Sequence, residues 1–119
     1  MEIKPNYTYD AELSRVVDGD TVRLSVSMGF YTHTEQNFRL VGIDTPEIRG
    51  EERQFGLIVK NYVEEMFYLS DYKCRIVSKK HGKYRWLADI YLDHNGDGTY
   101  DFHLNQELLN KGYAKEYLK

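Results

Sequence analysis

Cysteine is almost absent. The chain has 119 residues and one cysteine, Cys74, so no internal disulfide can form and a disulfide-stapled scaffold is excluded. Within "YKCRIVS" the expected role of Cys74 is a buried structural thiol. Positive charge is not in excess either. Sixteen Lys and Arg face nineteen Asp and Glu, for a net charge of −3, so a general basic footprint for nucleic acid is missing. Any phosphate must be met by a local patch or a bound cation. No apolar run approaches the roughly 20 residues of a membrane span. The opening "MEIKPNYTYD" has no apolar stretch of the signal-peptide kind. A soluble monomer without a membrane partner is expected, with its compartment left open.

What the chain does have is globular. It is 41% hydrophobic and 14% aromatic, with eleven tyrosines, at a length that suits one domain over residues 1–119. Residues 7–17 read as a strand ending at "DGD". From 22 onward Val22, Leu24, Val26 and Met28 fall on one face and Arg23, Ser25 and Ser27 on the other, the period of a half-buried strand. "QNFRLVGI", 36–43, reads as a third strand, which Pro46 prevents from continuing.

The period then changes. Phe55, Ile58, Val59, Tyr62, Val63, Met66 and Phe67 recur at three and four, which predicts an amphipathic helix over about 51–69. Strands are expected again at 72–78 and 84–92, with "KKHGK" a polar turn between them. "LNQELLNKG" closes as a short helix stopped by Gly112. Five strands with a helix between the third and fourth, and a short C-terminal helix, predict a mainly β, α+β fold: a small five-stranded OB-type barrel.

Three separated segments carry chemistry: Asp18-Gly19-Asp20-Thr21, Arg39 with Asp44-Thr45-Pro46-Glu47, and Lys83-Tyr84-Arg85. Asp20 and Asp44, at strand ends, suit a hard cation such as Ca2+, which takes carboxylate, carbonyl and water oxygens. The Thr45 carbonyl is a candidate third ligand. Glu47 is placed to activate a water. Arg39 and Arg85 offer forked hydrogen bonds to a phosphate. Lys83 and Tyr84 are candidates for a neighbouring phosphate or base. Arg39 and Asp44 pose a geometric problem: five residues of flat strand span about 16 Å, so sharing a site requires the strand to coil or bulge.

"VVDGDTVRL", "FRLVGIDTPE" and "KYRWLADIY" together resemble the three signature segments of the staphylococcal nuclease (thermonuclease) family, over roughly residues 8–117. The resemblance implies an OB-fold, calcium-dependent endonuclease that cleaves DNA and RNA and leaves 3′-phosphates. It implies calcium ligands at Asp20, Asp44 and the Thr45 carbonyl, with Asp18 supporting them. It implies Glu47 as general base or water-orienting acid, and Arg39 and Arg85 as phosphate and transition-state contacts. Where the family has a glycine between the tyrosine and arginine of its third segment, this chain reads "KYRW". Tyr113 and Tyr117 are the nearest candidates for nucleotide contacts late in the chain. A catalytically inactive OB-fold nucleic-acid-binding module is the alternative.

Two further patterns have plainer expectations. "DHNGDGTYDFHL" has Asp93, Asn95, Asp97 and Gly98 at EF-hand spacing, but Leu104 stands where the bidentate glutamate belongs. A hairpin turn is the better expectation. His33, His81, His94 and His103 lack zinc-set spacing and are expected at the surface.

Overall fold

The alternation that begins at Val22 places Val22, Leu24 and Val26 in the core and Arg23, Ser25 and Ser27 on the partly exposed face. The computed structural model describes residues 7–79 and 86–117. In chain order these form β1 (Thr8–Asp18), β2 (Thr21–Ser27), β3 (His33–Leu40), β4 (Ile43–Asp44), a 3-10 turn (Gly50–Glu52) and α1 (Arg53–Leu69). Then follow β5 (Lys73–Lys79), β6 (Trp86–Leu92), β7 (Phe102–His103), α2 (Leu104–Asn110) and β8 (Lys115–Glu116).

Strands run β3-β2-β1-β5-β6 in the sheet. A parallel pairing of β3 with β6, Phe38 opposite Trp86 and Leu40 opposite Ala88, closes it into a five-stranded barrel. The barrel-closing strands are the expected ones, and α1 lies between the third and fourth of them. Register shifts in β1, between Leu13 and Arg15 and between Val16 and Asp18, mark bulges of the kind that tighten a closing sheet. Among the described residues no helix is long and apolar enough to cross a membrane.

The interior is filled by inward side chains of all five strands and by Val59, Val63 and Phe67 of α1, each fully buried. Here the helical pattern needs correcting. Phe55 and Ile58 are about half exposed, while Gly56 faces inward. The core stripe is therefore displaced by one residue at the start of α1. Met28 also departs from its expected place. β2 ends at Ser27, and Met28 is half exposed on the way to the turn.

The third strand differs most. It starts at His33 and ends at Leu40, and Gly42 turns the chain at φ +82°. Ile43–Asp44 then pairs with Lys115–Glu116. Asn105, on α2, fixes this exit from β3. Its side-chain amide donates to the carbonyls of Val41 (3.0 Å) and Ala88 (3.2 Å), and its oxygen accepts from the Ile90 N–H (3.0 Å).

Candidate functional site

The turn after β1 and the exit from β3 meet at one end of the barrel. Gly19 makes the first turn, and it has to be small. A Cβ there would stand 2.7 Å from Val59 Cγ1 and 2.9 Å from Thr45 Oγ1. Asp20 follows, buried, with its backbone carbonyl accepting from Leu40 N–H at 2.8 Å. Pairing of Thr21 with Arg39 sets these two segments side by side.

Three segments then touch through side chains. Asp20 Oδ2 accepts from the Thr45 backbone N–H at 3.1 Å, across 25 residues. Asp20 Oδ1 accepts from the Thr21 hydroxyl at 3.0 Å. Arg39 Nη2 lies 2.9 Å from Asp44 Oδ1 and 3.5 Å from Asp20 Oδ2, and it donates to the Ile43 carbonyl at 3.3 Å. The chain brings Arg39 and Asp44 together by reversing at Gly42, where a coiled or bulged strand was expected. Five residues that would separate them by about 16 Å in a flat strand instead return one to the other.

Glu47 stands on the wall shared by two pockets. One, of about 160 Å³, is lined by Asp44, Thr45, Pro46, Phe55, Tyr113 and Lys115 among others. The other, of about 180 Å³, is lined by Asp18, Glu47, Ile48 and Arg49. The Glu47 side chain is exposed and has no ion pair or hydrogen bond among the described residues. Its backbone is held closely. A Cβ on Gly56 would come within 2.2 Å of the Glu47 carbonyl oxygen. A glycine inside a helix costs about 1 kcal/mol relative to alanine, and this contact is the reason α1 carries one. Neither Gly56 nor Asn105 was identified from the sequence. An isolated glycine within a helical pattern was the available signal for Gly56. A buried asparagine in "LNQELLNKG" left no comparable mark.

Asp18 lies behind Asp20. Burial, and then the Asp20 carboxylate, hold the Asp18 carboxyl above the usual carboxylate range, with Arg49 opposing the shift and Glu47 adding to it. Asp18 Oδ1 and Thr45 Oγ1 are both buried without a hydrogen-bond partner among the described residues. Such orphaned oxygens cost about 1–3 kcal/mol each unless something fills their lone pairs.

The late tyrosines flank the site. Tyr117 N–H donates to the Gly42 carbonyl at 2.9 Å, and the Arg39 guanidinium lies 5.0 Å from its ring centre. Tyr113 lines the pocket beside Glu47 and packs edge-on against Tyr62 and Phe55. Lys83, Tyr84 and Arg85 lie outside the described residues, as do the "KKHGK" turn from Lys80 onward and His81.

Cys74 is buried as expected, and burial pushes its thiol well up. His103 is not a plain surface residue. Its ring stacks on Tyr91 at 4.6 Å, and Nε2 lies 2.9 Å from Asp89 Oδ1. The Asp93–Thr99 stretch is a connection folded on itself. Asp93 accepts from the N–H groups of Asp97 (3.1 Å) and Gly98 (2.8 Å), and Asp97 accepts from Thr99 N–H (2.9 Å).

The family model described as staphylococcal nuclease homologue matches residues 37–119. The chain belongs to that family. No curated protein matches the chain. Family membership supports a nuclease or nucleic-acid-binding module, and the match includes Arg39, Asp44, Thr45 and Glu47.

Proposed function

We propose that this member of the staphylococcal nuclease homologue family hydrolyses nucleic-acid phosphodiester bonds with Ca2+ as its cofactor. The observation that supports this most is the meeting of Asp20, Arg39 and Asp44 within 3.5 Å contacts beside an unpaired Glu47. A turn built only for stability has no need of two carboxylates on one guanidinium next to a free third.

The donor set fits calcium. Every candidate ligand is a hard oxygen: the Asp20 and Asp44 carboxylates and the Thr45 carbonyl. Asp18 Oδ1 and Thr45 Oγ1 are unsatisfied and buried on the same two segments, where an ion's water would find them. Two carboxylates and one carbonyl would leave the remaining positions of a calcium ion to water and a substrate phosphate. When bound, calcium supplies polarisation of the phosphoryl oxygen and orientation of the reactants.

The protein groups do the rest. Asp20 and Asp44 would hold the cation, Arg39 beside them would hold a phosphate oxygen, and Arg85 is assigned a second one. Both bonds strengthen as charge builds on phosphorus. Glu47 accepts a proton from a water whose oxygen bonds to phosphorus. The bond from phosphorus to the 5′ oxygen breaks, that oxygen takes a proton from water, and a 3′-phosphate remains. Tyr113 and Tyr117 offer ring faces to the nucleotide, with Lys83 and Tyr84 assigned to a neighbouring phosphate or base. DNA and RNA both present the reacting group.

Single-stranded DNA incubated with the chain and calcium, then with a chelator, tests this. Cleavage that stops on chelation is expected. Intact DNA in calcium at alkaline pH would leave the non-catalytic binding module as the surviving account.

A further inference from the structure

The hairpin that contributes Thr21 and Arg39 to the site ends, at its other extremity, in two naked aromatic rings. Phe30 is 99% exposed and Tyr31 fully so, with Met28 half exposed beside them. Gly29, Phe30 and Tyr31 are all left-handed, at φ +81°, +55° and +60°. Two consecutive non-glycine residues seldom adopt this conformation, because it brings Cβ against the backbone. The tip is nonetheless tied. Thr32 N–H donates to the Gly29 carbonyl at 2.9 Å, and Met28 N–H donates to the Thr32 carbonyl at 2.8 Å. The fold thus holds two apolar rings out into water on a fastened turn.

The outer face of the same hairpin runs unbroken from the candidate site to this tip. Phe38 and Leu40 of β3 point inward, so Arg39, Asn37, Glu35 and His33 share the outward face. Across from them on β2 lie Arg23, Ser25 and Ser27. Arg23 donates to Asn37 at 3.0 Å and sits 3.7 Å from Glu35, which also accepts from the Ser14 hydroxyl. The one acid on this track is thereby occupied by protein donors. From the Thr21–Arg39 pair to the Ser27–His33 pair is about 20 Å at the strand rise of about 3.3 Å per residue.

We propose that the Phe30–Tyr31 tip is a base-stacking contact for single-stranded nucleic acid, whose backbone follows the β2–β3 outer face from Arg39 to the tip. This rests on the function proposed above. A base needs only a flat ring face, and each stacked base contributes substantially without demanding a sequence. The face of the second and third strands is also the surface that OB barrels offer to oligonucleotides. Two other occupants fit less well. A lipid surface favours basic flanks around the inserted rings, and the tip segment from Leu24 to Phe38 has no lysine or arginine, Arg23 and Arg39 lying toward the candidate site. A second copy needs more area, since two rings bury about 300–500 Å² and stable protein interfaces bury about 1,200 Å² or more.

The test compares the chain with a Phe30→Asn/Tyr31→Asn variant, since asparagine tolerates the left-handed region. Binding is measured by fluorescence anisotropy in calcium, on a Glu47→Gln background that prevents cleavage, with a labelled trinucleotide and a labelled 15-mer of single-stranded DNA. Expected is a Kd for the 15-mer raised about tenfold or more, an unchanged Kd for the trinucleotide, and an unchanged Tm. Equal 15-mer affinity in both proteins would overturn the stacking contact while leaving the hydrolytic reading intact, provided the chain with Glu47 restored still cleaves DNA. A chain that neither binds nor cleaves would lose both. Tip-dependent binding to phosphatidylcholine/phosphatidylserine vesicles, or a tip-dependent dimer in sedimentation, with 15-mer binding unaffected, would also overturn it in favour of a membrane or self-association surface.

Discussion

Two stretches of this chain carry closely spaced aspartates around glycine, and they have opposite fates. In Asp18–Thr21 the acids are turned inward, and Asp20 Oδ2 engages groups far away in sequence while Asp20 Oδ1 accepts from Thr21. Asp20 accepts from Thr45 N–H and lies against Arg39, and Asp18 retains an unpartnered buried oxygen. In Asp93–Thr99 the carboxylates are satisfied by backbone N–H groups no more than five residues away. The first arrangement leaves charge concentrated and unsettled where three segments meet. The second closes a turn and is finished. Aspartate spacing alone does not distinguish them; what differs is whether the oxygens find partners locally or only through the fold.

The largest expected effect is at Glu47, beside the first of these loops. Glu47→Gln should lower kcat by about 10²–10⁴-fold with Tm unchanged, because that exposed carboxylate makes no hydrogen bond or ion pair among the described residues. Loss of stability in place of activity would make Glu47 structural. Calorimetry with calcium then separates the two loops. Asp20→Asn should abolish binding of one calcium equivalent and destabilise the chain by about 1–3 kcal/mol, as the Thr45 N–H and Arg39 lose their charged acceptor. Asp97→Asn should leave calcium binding intact. Two equivalents in the parent chain, one of them lost on Asp97→Asn, would contradict the assignment of that loop to a plain turn.

Gly56→Ala probes the contact that holds Glu47. A Cβ 2.2 Å from the Glu47 carbonyl should cost about 1–3 kcal/mol by overpacking and lower activity as well, read by denaturant unfolding and by the hydrolysis rate. The smallest effect is electrostatic. In metal-free protein, carboxyl-detected NMR should find Asp18 titrating above the ordinary carboxylate range, because of burial and Asp20. Asp97 should titrate below it, because the Thr99 N–H bonds its charged form. Matching midpoints would remove the distinction between the loops.

Much of the fold was legible because period reveals burial. Val22, Leu24 and Val26 alternate, and Val59, Val63 and Phe67 recur at helical spacing, and these residues are the core. Boundaries set by tertiary contact were not legible. β3 was expected to run to residue 43, yet Gly42 and the side chain of Asn105 end it at Leu40. Phe55 and Ile58 fit the apolar pattern of α1 but lie outside, since the close approach of the Glu47 backbone places Gly56 inward. The candidate site could be read as three motifs, but its contacts could not. Nothing in local sequence shows that the chain reverses between Arg39 and Asp44, or that one guanidinium nitrogen reaches both aspartates.

Calcium-dependent hydrolysis by these acids and arginines, as proposed, is read most directly from product formation. Single-stranded DNA is incubated with purified protein and calcium at alkaline pH, with a parallel chelator arm and end-group analysis of the fragments. The expected result is cleavage in calcium only, with fragments ending in 3′-phosphates. Intact DNA in both arms, or equal cleavage in both, would contradict the account.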